Sequence, residues 1–278
     1  MRHTEDWIVE AEGVEYTYEG NGKPALCGLD LKIRRGTKAA VMGGNGSGKS
    51  TLFLCLNGVL RPQKGRILIE GKPISYDRKG LLEVREKVGI VFQEPDNQLF
   101  SASVFQEISF GILNLGVGEE TARREVERVI AEIGIEGFRD RPAHALSGGQ
   151  KKQVAIADIL VMSPEIMILD EPVAALDPRH TRIVEEIVDK LTQKGITVLM
   201  ATHDVDYAYQ WADEMILLKD GKVLCQGTSR EVCADRALLE QANLERPAVC
   251  RVYEALVEKG YLPAGEMPRS MEELTGRL

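Results

Sequence analysis

Residues 43 to 51 read Gly-Gly-Asn-Gly-Ser-Gly-Lys-Ser-Thr, between an apolar run at Lys38 to Met42 and a second run at Thr51 to Leu56. The first run is typical of a buried strand and the second of a helix, so the glycines occupy a strand-to-helix turn. The main-chain N–H groups of such a turn point into one concavity, and the helix N-terminus adds partial positive charge. This stretch therefore predicts an α/β fold with a site for the phosphates of a nucleotide.

Two side chains of this loop have predicted roles. Lys49 is expected to reach the β- and γ-phosphates of the nucleotide, and Ser50 is expected to bind Mg²⁺. The other nucleotide contacts are predicted from Gly43, Asn45, Gly46, Ser47, Gly48 and Thr51. A glycine-rich turn that binds no ligand is the alternative, and the flanking strand and helix count against it.

Length and composition limit the class of protein. A chain of 278 residues fits one main domain with an appendage, and its net charge of −8 argues against a nucleic-acid partner. No apolar run approaches the ~20 residues that cross a bilayer, and the acidic start is unlike a signal peptide, so a cytoplasmic location is expected. The five cysteines form no C-x-x-C pair and are expected to be reduced and mostly buried.

Hydrophobic patterns predict two sheets. Ile8 to Tyr18 and Leu29 to Ile33 alternate like strands of a small antiparallel sheet, with a turn at Gly20-Asn21-Gly22 between them. Four later apolar runs are typical of parallel strands: Val88 to Phe92, Ile166 to Leu169, Ile196 to Met200 and Met215 to Leu218. Helices are predicted over Glu119 to Ile133, from near Ser147, over Thr181 to Gln193, and irregularly after Thr228.

Two adjacent carboxylates follow one of these strands. Asp170 and Glu171 come directly after the run Ile166 to Leu169, and α/β sheets place ligands at the carboxyl ends of their strands. Asp170 fits the Mg²⁺ site through water, and Glu171 is free to polarise an attacking water molecule. The alternative is an acidic pair that caps the helix after the strand.

Further polar side chains follow two neighbouring strands. His203 ends the run Met200 to His203, where a neutral imidazole can hydrogen-bond a γ-phosphate and its attacking water; a purely structural histidine is the alternative. Gln93 follows the strand Val88 to Phe92 and can touch Mg²⁺ or water. The other histidines, His3, His144 and His180, are expected at the surface.

A second phosphate-binding element lies on the same chain. Leu146 to Gln150 reads Leu-Ser-Gly-Gly-Gln, and Ser147, Gly148, Gly149 and Gln150 stand at the start of a predicted helix. This element has no lysine and no metal ligand of its own. The chain is therefore expected to hold two halves of two different nucleotide sites, and to pair with another copy or a close relative.

In this order the motifs resemble those of the nucleotide-binding subunit of an ATP-binding cassette transporter. They are Walker A at 43–51, the Q-loop Gln93, the signature 146–150, Walker B at 166–171, the D-loop Ala175-Leu176-Asp177 and the switch His203. The resemblance implies a P-loop NTPase (RecA-like) core with an N-terminal antiparallel β subdomain, an inserted helical subdomain and a helical C-terminal extension. The implied boundaries are 1–228 for the nucleotide-binding domain, with the helical subdomain at about 94–162, and 229–278 for the extension.

The same resemblance implies the ligands and the dimer. ATP and Mg²⁺ are the expected cofactors, and Tyr18 lies where this family places an aromatic ring on adenine, with Tyr16 a close competitor. Residues Ser147 to Gln150 are expected to close over the ATP of the partner subunit, in a homodimer or a heterodimer with a paralogue. Glu171, His203 and Gln93 are the expected catalytic residues.

A narrower resemblance points to the energy-coupling factor ATPases, especially those of cobalt and nickel importers. It depends on residues 92–101, on Phe110-Gly111 and on the run 242–247. It implies a peripheral position on the inner face of the membrane, beside a transmembrane coupling subunit and a substrate-binding membrane subunit. Glu94 and Asp96 are either partners of arginines on that coupling subunit or solvated acids.

Other readings stay open at this level. A vitamin-importing complex, a non-transport ATPase of the superfamily and a regulatory protein with an inactive site are the alternatives, and the extension either stabilises the dimer or regulates it. Two residues depart from the family pattern: Val173 replaces a threonine, and Asp158 replaces a small residue, where it either weakens packing or pairs with a base.

Overall fold

The computed structural model describes residues 6–20 and 22–278. Its first sheet is antiparallel, in the order β2-β1-β4-β5, and contains the two strands predicted from alternation. The strands are β1 (Trp7–Tyr16), β2 (Leu26–Arg34), β4 (Lys64–Ile69) and β5 (Lys72–Pro73). His3 and Asn21 lie outside the described residues, so the predictions made for them stay untested.

The second sheet carries the predicted parallel strands, in the order β10-β9-β3-β8-β7-β6. Its strands are β3 (Lys38–Met42), β6 (Val88–Val91), β7 (Ile166–Asp170), β8 (Thr197–Ala201), β9 (Glu214–Lys219) and β10 (Lys222–Thr228). Only β10, which the sequence did not reveal, runs antiparallel to its neighbour. Ala201 pairs with both Val41 and Asp170, so three strands end at the same edge.

Helices connect these strands and continue past the last one. The connecting helices are α1 (Lys49–Leu56), α2 (Arg78–Lys87), α3 (Val104–Asn114), α4 (Glu119–Ile133), α5 (Gly148–Leu160), α6 (Pro178–Gln193) and α7 (Val205–Trp211). The last four are α8 (Ser229–Ala234), α9 (Arg236–Gln241), α10 (Ala248–Glu258) and α11 (Met271–Thr275). The predicted helices α1, α4, α5 and α6 are confirmed, whereas α2, α3 and α7 were not predicted. No helix in the described ranges is both long and apolar enough to cross a membrane.

Two apolar cores cover the two faces of the parallel sheet. In the first core α1 lies between the two sheets, and Leu52, Phe53 and Leu56 are fully buried there. The second core joins the parallel sheet to α5, α6 and α7, and also to the C-terminal helices through Leu239 and Cys250. The predicted boundaries 1–228, 94–162 and 229–278 remain a prediction.

The cysteines are free thiols. Cys55, Cys233 and Cys250 are buried, whereas Cys27 and Cys225 are partly exposed. Burial raises the pKa of Cys55 and of Cys233 to about 12, so both thiols stay protonated at neutral pH. The expectation of reduced, mostly buried cysteines is confirmed.

Asp158 lies on α5, against the segment that follows β6. The Nε2 of Gln98 donates to its Oδ2 at 3.4 Å, so its hydrogen-bond partner is an amide rather than the base considered from sequence. Burial, and next the charge of Glu107, raise the pKa of Asp158 to about 7. The carboxylate of Glu107 accepts the N–H groups of Phe100 and Ser101, at 2.8 and 2.5 Å. The carboxyl group of Asp158 is thus mostly protonated below about pH 7.

The raised pKa of Asp158 predicts that the stability of the folded chain depends on pH. In the folded chain Asp158 binds its proton more tightly than in the unfolded chain, where its pKa is near ~4, so stability falls as the pH rises between these values. Asp158→Asn keeps a neutral side chain, and its unfolding temperature is expected to exceed the wild type's by a margin that grows from pH ~4 to pH ~7 and then levels off. Thermal unfolding across this range measures the margin.

Asp140→Asn is the matched control, because Asp140 is 88% exposed and pays no comparable desolvation. The difference in unfolding temperature between Asp140→Asn and the wild type is expected to stay constant over this pH range. A pH-independent margin for Asp158→Asn contradicts the assignment of a protonated carboxyl group.

Candidate nucleotide-binding site

A pocket of about 700 Å³ lies where β3, β7 and β8 end. Its walls hold most of the residues that the sequence singled out for nucleotide binding: Tyr18, Asn45, Gly46, Ser47, Gly48, Lys49, Ser50, Thr51, Gln93, Asp170, Glu171 and His203. Lys23, Pro24, Ala25, Cys27 and Asp220 complete the lining and were not predicted. Residues that are far apart in the sequence are thus brought to one place.

The glycine loop follows β3 and leads into α1. Gly43 has φ 147°, and a Cβ atom there would lie 2.2 Å from the carbonyl oxygen of Leu218 on β9. Gly48 has φ 108° and precedes the first residue of α1. A Cβ atom at Gly48 would lie 2.7 Å from the carbonyl oxygen of Ala25. Only glycine fits these two positions without strain, because both need a close backbone approach and a positive φ.

Lys49 lies over the loop. Its Nζ donates to the carbonyl oxygens of Gly43 and Gly44, at 2.7 and 3.3 Å. Burial lowers the pKa of Lys49, and the carboxylates of Glu171 and Asp170 raise it in part. A desolvated ammonium group interacts strongly with an anion that enters the pocket.

Oxygen ligands for a hard cation meet beside Lys49. The hydroxyl of Ser50 donates to Oδ2 of Asp170 at 2.9 Å, and Gln93 lines the same pocket. The hydroxyl oxygen of Ser47 is buried without a hydrogen-bond partner among the described residues. Mg²⁺ is held by few protein oxygens together with water and phosphate, so this donor set fits Mg²⁺. The described residues contain no cluster of three or more His, Cys, Asp or Glu side chains that would hold a metal by themselves.

Glu171 and His203 face each other at the end of the sheet. Glu171 has φ 47°, and its N–H donates to the carbonyl of Ala201 at 3.1 Å, which holds this strained backbone. Nε2 of His203 lies 3.1 Å from Oε1 of Glu171 without hydrogen-bond alignment, so the contact is electrostatic. Burial raises the pKa of Glu171, while His203 and Lys49 lower it. The net rise brings the carboxylate closer to the range of a general base.

The alternative roles of these two residues do not fit the geometry. The helix after β7 is capped by Asp177, whose Oδ1 accepts from Arg179 and His180, and not by Asp170 or Glu171. The side chain of His203 is 52% exposed and opens into the pocket, rather than packing in a core.

Tyr18 is the aromatic residue of this pocket. Its hydroxyl lies 3.2 Å from Oγ1 of Thr51, and its ring meets that of Tyr16 edge-on at 5.0 Å. Tyr16 stands behind Tyr18 and is not among the described lining residues. This placement favours Tyr18 over Tyr16 as the ring that meets a base.

The signature element lies apart from this pocket. Ser147 and Gln150 form a capping box: the hydroxyl of Ser147 accepts from the N–H of Gln150 at 3.3 Å, and Oε1 of Gln150 accepts from the N–H of Ser147 at 3.0 Å. Residues 147–150 are not among the lining residues of the pocket in the described part of the chain. The two phosphate-binding elements of one chain thus do not form one site.

His180 lies at the surface but is half-buried. Its side chain is 25% exposed, and its Nδ1 lies 2.5 Å from Oδ2 of Asp177. Its ring fills the space beside Gly149, where a Cβ atom would lie 2.2 Å from Cδ2 of His180. His144 is exposed, as predicted.

Lys152 is a residue that the sequence reading missed. It lies on α5 with 1% of its surface exposed, and its Nζ donates to the carbonyls of Phe92 and Gln93 at 2.9 and 2.8 Å. Burial lowers its pKa to about 8, against the opposing effects of Asp170 and Glu171. The available signal was its position four residues before Ile156, on the buried face of the helix.

Comparison of the sequence with known proteins shows the protein family to which this site belongs. A sequence model of the ABC transporter family matches residues 26–174. The energy-coupling factor transporter ATP-binding protein EcfA3 of Clostridium perfringens is 46% identical over 256 residues, which cover 92% of this chain and 90% of that protein. The fold and the pocket are therefore those of ATP-binding cassettes.

Solved structures agree with this class. The structure of cbiO1 from Clostridium perfringens, part of the ABC transporter complex cbiONQ, matches with a TM-score of 0.76 and 45% identity, over 90% of this chain and 100% of that chain. The dimeric structure of MJ0796, a bacterial ABC transporter cassette, matches at 28% identity with a TM-score of 0.72, over 80% of this chain and 99% of that chain. This chain belongs to the energy-coupling factor ATP-binding proteins of the ABC transporter family, and it is an ATPase coupled to transport.

The close fit of His180 against Gly149 is testable. Gly149→Ala forces its Cβ onto the imidazole, so a loss of roughly 1–3 kcal/mol in the free energy of unfolding is expected. In a His180→Ala background the space is open, and most of that loss should disappear. Denaturant unfolding of the two single variants and the double variant measures the coupling.

Gly148→Ala is the control, since a Cβ atom there meets no described atom within 4 Å. Its effect should be small and independent of residue 180. Equal losses from Gly149→Ala in both backgrounds contradict the proposed contact.

Proposed function

We propose that this chain binds ATP with Mg²⁺ in the described pocket and hydrolyses it to drive an energy-coupling factor type importer. The supporting observation is the meeting of Lys49, Ser50, Asp170, Glu171 and His203 around one cavity. Tyr18 stacks on adenine, the loop N–H groups and Lys49 hold the phosphates, and Ser50, Gln93 and Asp170 hold the metal. Bound Mg²⁺ supplies positive charge that stabilises the phosphate oxygens during transfer.

The chain's own residues provide the base and its orientation. Glu171 accepts a proton from the attacking water, because it is buried beside the phosphate loop and its pKa is raised. His203 lies 3.1 Å from that carboxylate and can hydrogen-bond both the water and the γ-phosphate. The backbone of Glu171 is held at a positive φ by the bond to Ala201, which keeps the base in place.

The absence of the signature residues from the pocket lining supports a two-fold dimer. In our proposal the N–H groups at the start of α5 and the hydroxyl of Ser147 close over ATP in the partner subunit, and its signature closes over this one. The matched MJ0796 cassette is dimeric. Whether the partner is an identical copy or a paralogue, each pocket is then completed by Ser147, Gly148, Gly149 and Gln150 of the other chain.

An exposed apolar surface beside the Q-loop supports a membrane partner. A groove of about 650 Å³ lies between α2, α3 and α5, and Leu82, Phe92, Phe110 and Met162 are among its lining residues. Phe100 and Phe110 meet edge-on at 5.1 Å and are 69% and 49% exposed. Exposed aromatic pairs of this kind mark interaction sites. We place the transmembrane coupling subunit here, which puts the chain on the inner face of the membrane.

The acids beside this groove have partners within the chain. Asp96 pairs with Lys151 at 2.5 Å, and Glu94 accepts from Asn97 at 3.2 Å. Asp96 remains 72% exposed and can still meet an arginine of the coupling subunit. The arginine contact stays part of this proposal, together with a substrate-binding membrane subunit.

For the transported substrate we propose cobalt or nickel. The support is the similarity to cbiO1 of the cbiONQ complex. A vitamin is the alternative, since the matched EcfA3 protein carries the general energy-coupling factor description. For the C-terminal helices we propose that they stabilise the dimer or regulate it.

The role of Glu171 has a direct test. Glu171→Gln keeps the size and loses the base, so ATP binding should persist while turnover falls by ~10²–10⁴-fold. Equilibrium binding of a labelled ATP and steady-state phosphate release measure the two effects. Glu186→Gln changes an exposed residue on α6 and is the control, which should hydrolyse ATP at the wild-type rate. Normal turnover by Glu171→Gln would contradict the assignment of Glu171 as the general base.

Transport and docking are tested in vesicles. The chain, reconstituted with its membrane subunits, is expected to drive ATP-dependent uptake of cobalt or nickel. Uptake of a vitamin instead would contradict the proposed substrate.

The docking surface is tested with the same vesicles. Phe110→Glu puts a charge into the apolar groove, so uptake should fall by roughly tenfold or more while the unfolding temperature stays close to the wild type's. Tyr261→Glu, at a 70% exposed site outside the groove, should transport normally. Full uptake with Phe110→Glu contradicts this docking surface.

A further inference from the structure

Lys152 is a buried cation whose partners are main-chain oxygens. It is 1% exposed, and a buried ammonium group is costly unless its donors are satisfied. Its Nζ donates to two successive carbonyls, those of Phe92 and Gln93, at 2.9 and 2.8 Å. Charge-assisted bonds of this type are stronger than neutral ones, so they fix the backbone that they join.

The backbone at Phe92 and Gln93 lies outside the ladder of the sheet. β6 ends at Val91, and the next turn of helix begins only at Pro95. The N–H of Phe92 lies 3.4 Å from Oε1 of Gln98, which is a weak bond. The two bonds from Lys152 are therefore the strongest that the structure gives to this short segment, which carries the Gln93 side chain into the nucleotide pocket.

The other end of Lys152 belongs to the signature helix. α5 begins at Gly148 with the capping box of Ser147 and Gln150, and Lys152 follows in its second turn. An α-helix is stiff over so short a distance. One side chain thus connects the element proposed to close over the partner's ATP with the Gln93 segment of this chain's own pocket.

We propose that Lys152 is a positioning residue for hydrolysis, which holds Gln93 in place and ties its position to that of the signature helix. It acts through the main chain of Phe92 and Gln93 and does not touch the nucleotide. This inference rests on the proposed function, since it assigns Gln93 to the reacting site. In a dimer the same link makes hydrolysis in one pocket sensitive to engagement of the signature in the other.

A purely structural Lys152 makes different predictions. If it only stabilised the packing of α5, its loss would lower the unfolding temperature and add to the effect of any second change. If it positions Gln93, its loss has no further effect once the Gln93 side chain is gone. Residues that act through one another show this non-additivity in double-mutant cycles.

The test uses the full-length chain with Lys152→Met, Gln93→Ala and the double variant. Lys152→Met should lower kcat by roughly tenfold with little change in KM for ATP, because misplacing a reacting group reduces rate while Lys49 and the loop still bind. In the Gln93→Ala background the same change should leave kcat nearly unaltered. Equal effects in both backgrounds, or a loss in KM alone, overturn the inference.

Lys151→Met is the matched control on the same helix. Lys151 is 16% exposed and pairs with the carboxylate of Asp96, which is 72% exposed, rather than with main-chain carbonyls; an ion pair that solvent reaches on one side contributes little. Its kcat should stay within roughly twofold of the wild type. A loss of kcat with Lys151→Met as large as with Lys152→Met also contradicts the assignment.

A readout without nucleotide completes the design. Hydrogen exchange of the amides of residues 92–94 should accelerate in Lys152→Met and stay unchanged in Lys151→Met, because Lys152 bonds the carbonyls of Phe92 and Gln93, whereas Lys151 contacts this region only through the side chain of Asp96. If Lys152→Met does not fold, Lys152→Gln replaces it in every measurement, since its shorter amide cannot reach both carbonyls. A wild type that stays inactive when assembled with its partner ATPase and membrane subunits refutes the proposed function, whereas an active wild type with an unaffected Lys152 variant refutes only this inference.

Discussion

The pairing of Ala201 with both Val41 and Asp170 aligns the ends of three parallel strands. The glycine loop, the two carboxylates and the histidine of the nucleotide pocket depend on this alignment. β3 delivers the glycine loop, β7 delivers Asp170 and Glu171, and β8 delivers His203. A slip of one residue in any of these strands would turn its side chains to the other face of the sheet and move the site residues out of the pocket. The side-chain packing on both faces that holds the register therefore also holds the site.

The pocket contains several energetically unfavourable features that an apolar core would not have. Glu171 adopts a positive φ, its Oε1 is buried without an aligned partner among the described residues, and Lys49 is desolvated. Such costs persist only where the surrounding structure enforces them. Here the two cores on either side of the parallel sheet provide that enforcement, with α1 enclosed between the sheets. The result is a set of charges arranged for a ligand rather than for one another.

Sequence alone located the side chains that follow apolar strands. A buried strand appears in the sequence as an apolar run, and the carboxyl ends of parallel strands meet at one edge of the sheet. Asp170, Glu171, His203 and Gln93 were found in this way, and Lys49 was found from the glycine loop. The roles of Lys152 and His180 were not predicted. Their surroundings are formed by residues far along the chain, and no local sequence pattern reveals such contacts. The strand β4 was also missed, because its first three residues are exposed and break the alternation.

The C-terminal helices share a core with the parallel sheet. Leu239, Cys250 and Leu274 belong to the same apolar cluster as Met215 and Leu217 on β9. A guanidinium nitrogen of Arg269 also donates to the carbonyl of Ala212 at 2.5 Å, just before that strand. Elements joined by a common core unfold together rather than in turn. The extension is therefore no lid on a tether: it packs in the same core as β9, whose Leu218 carbonyl abuts Gly43 of the glycine loop.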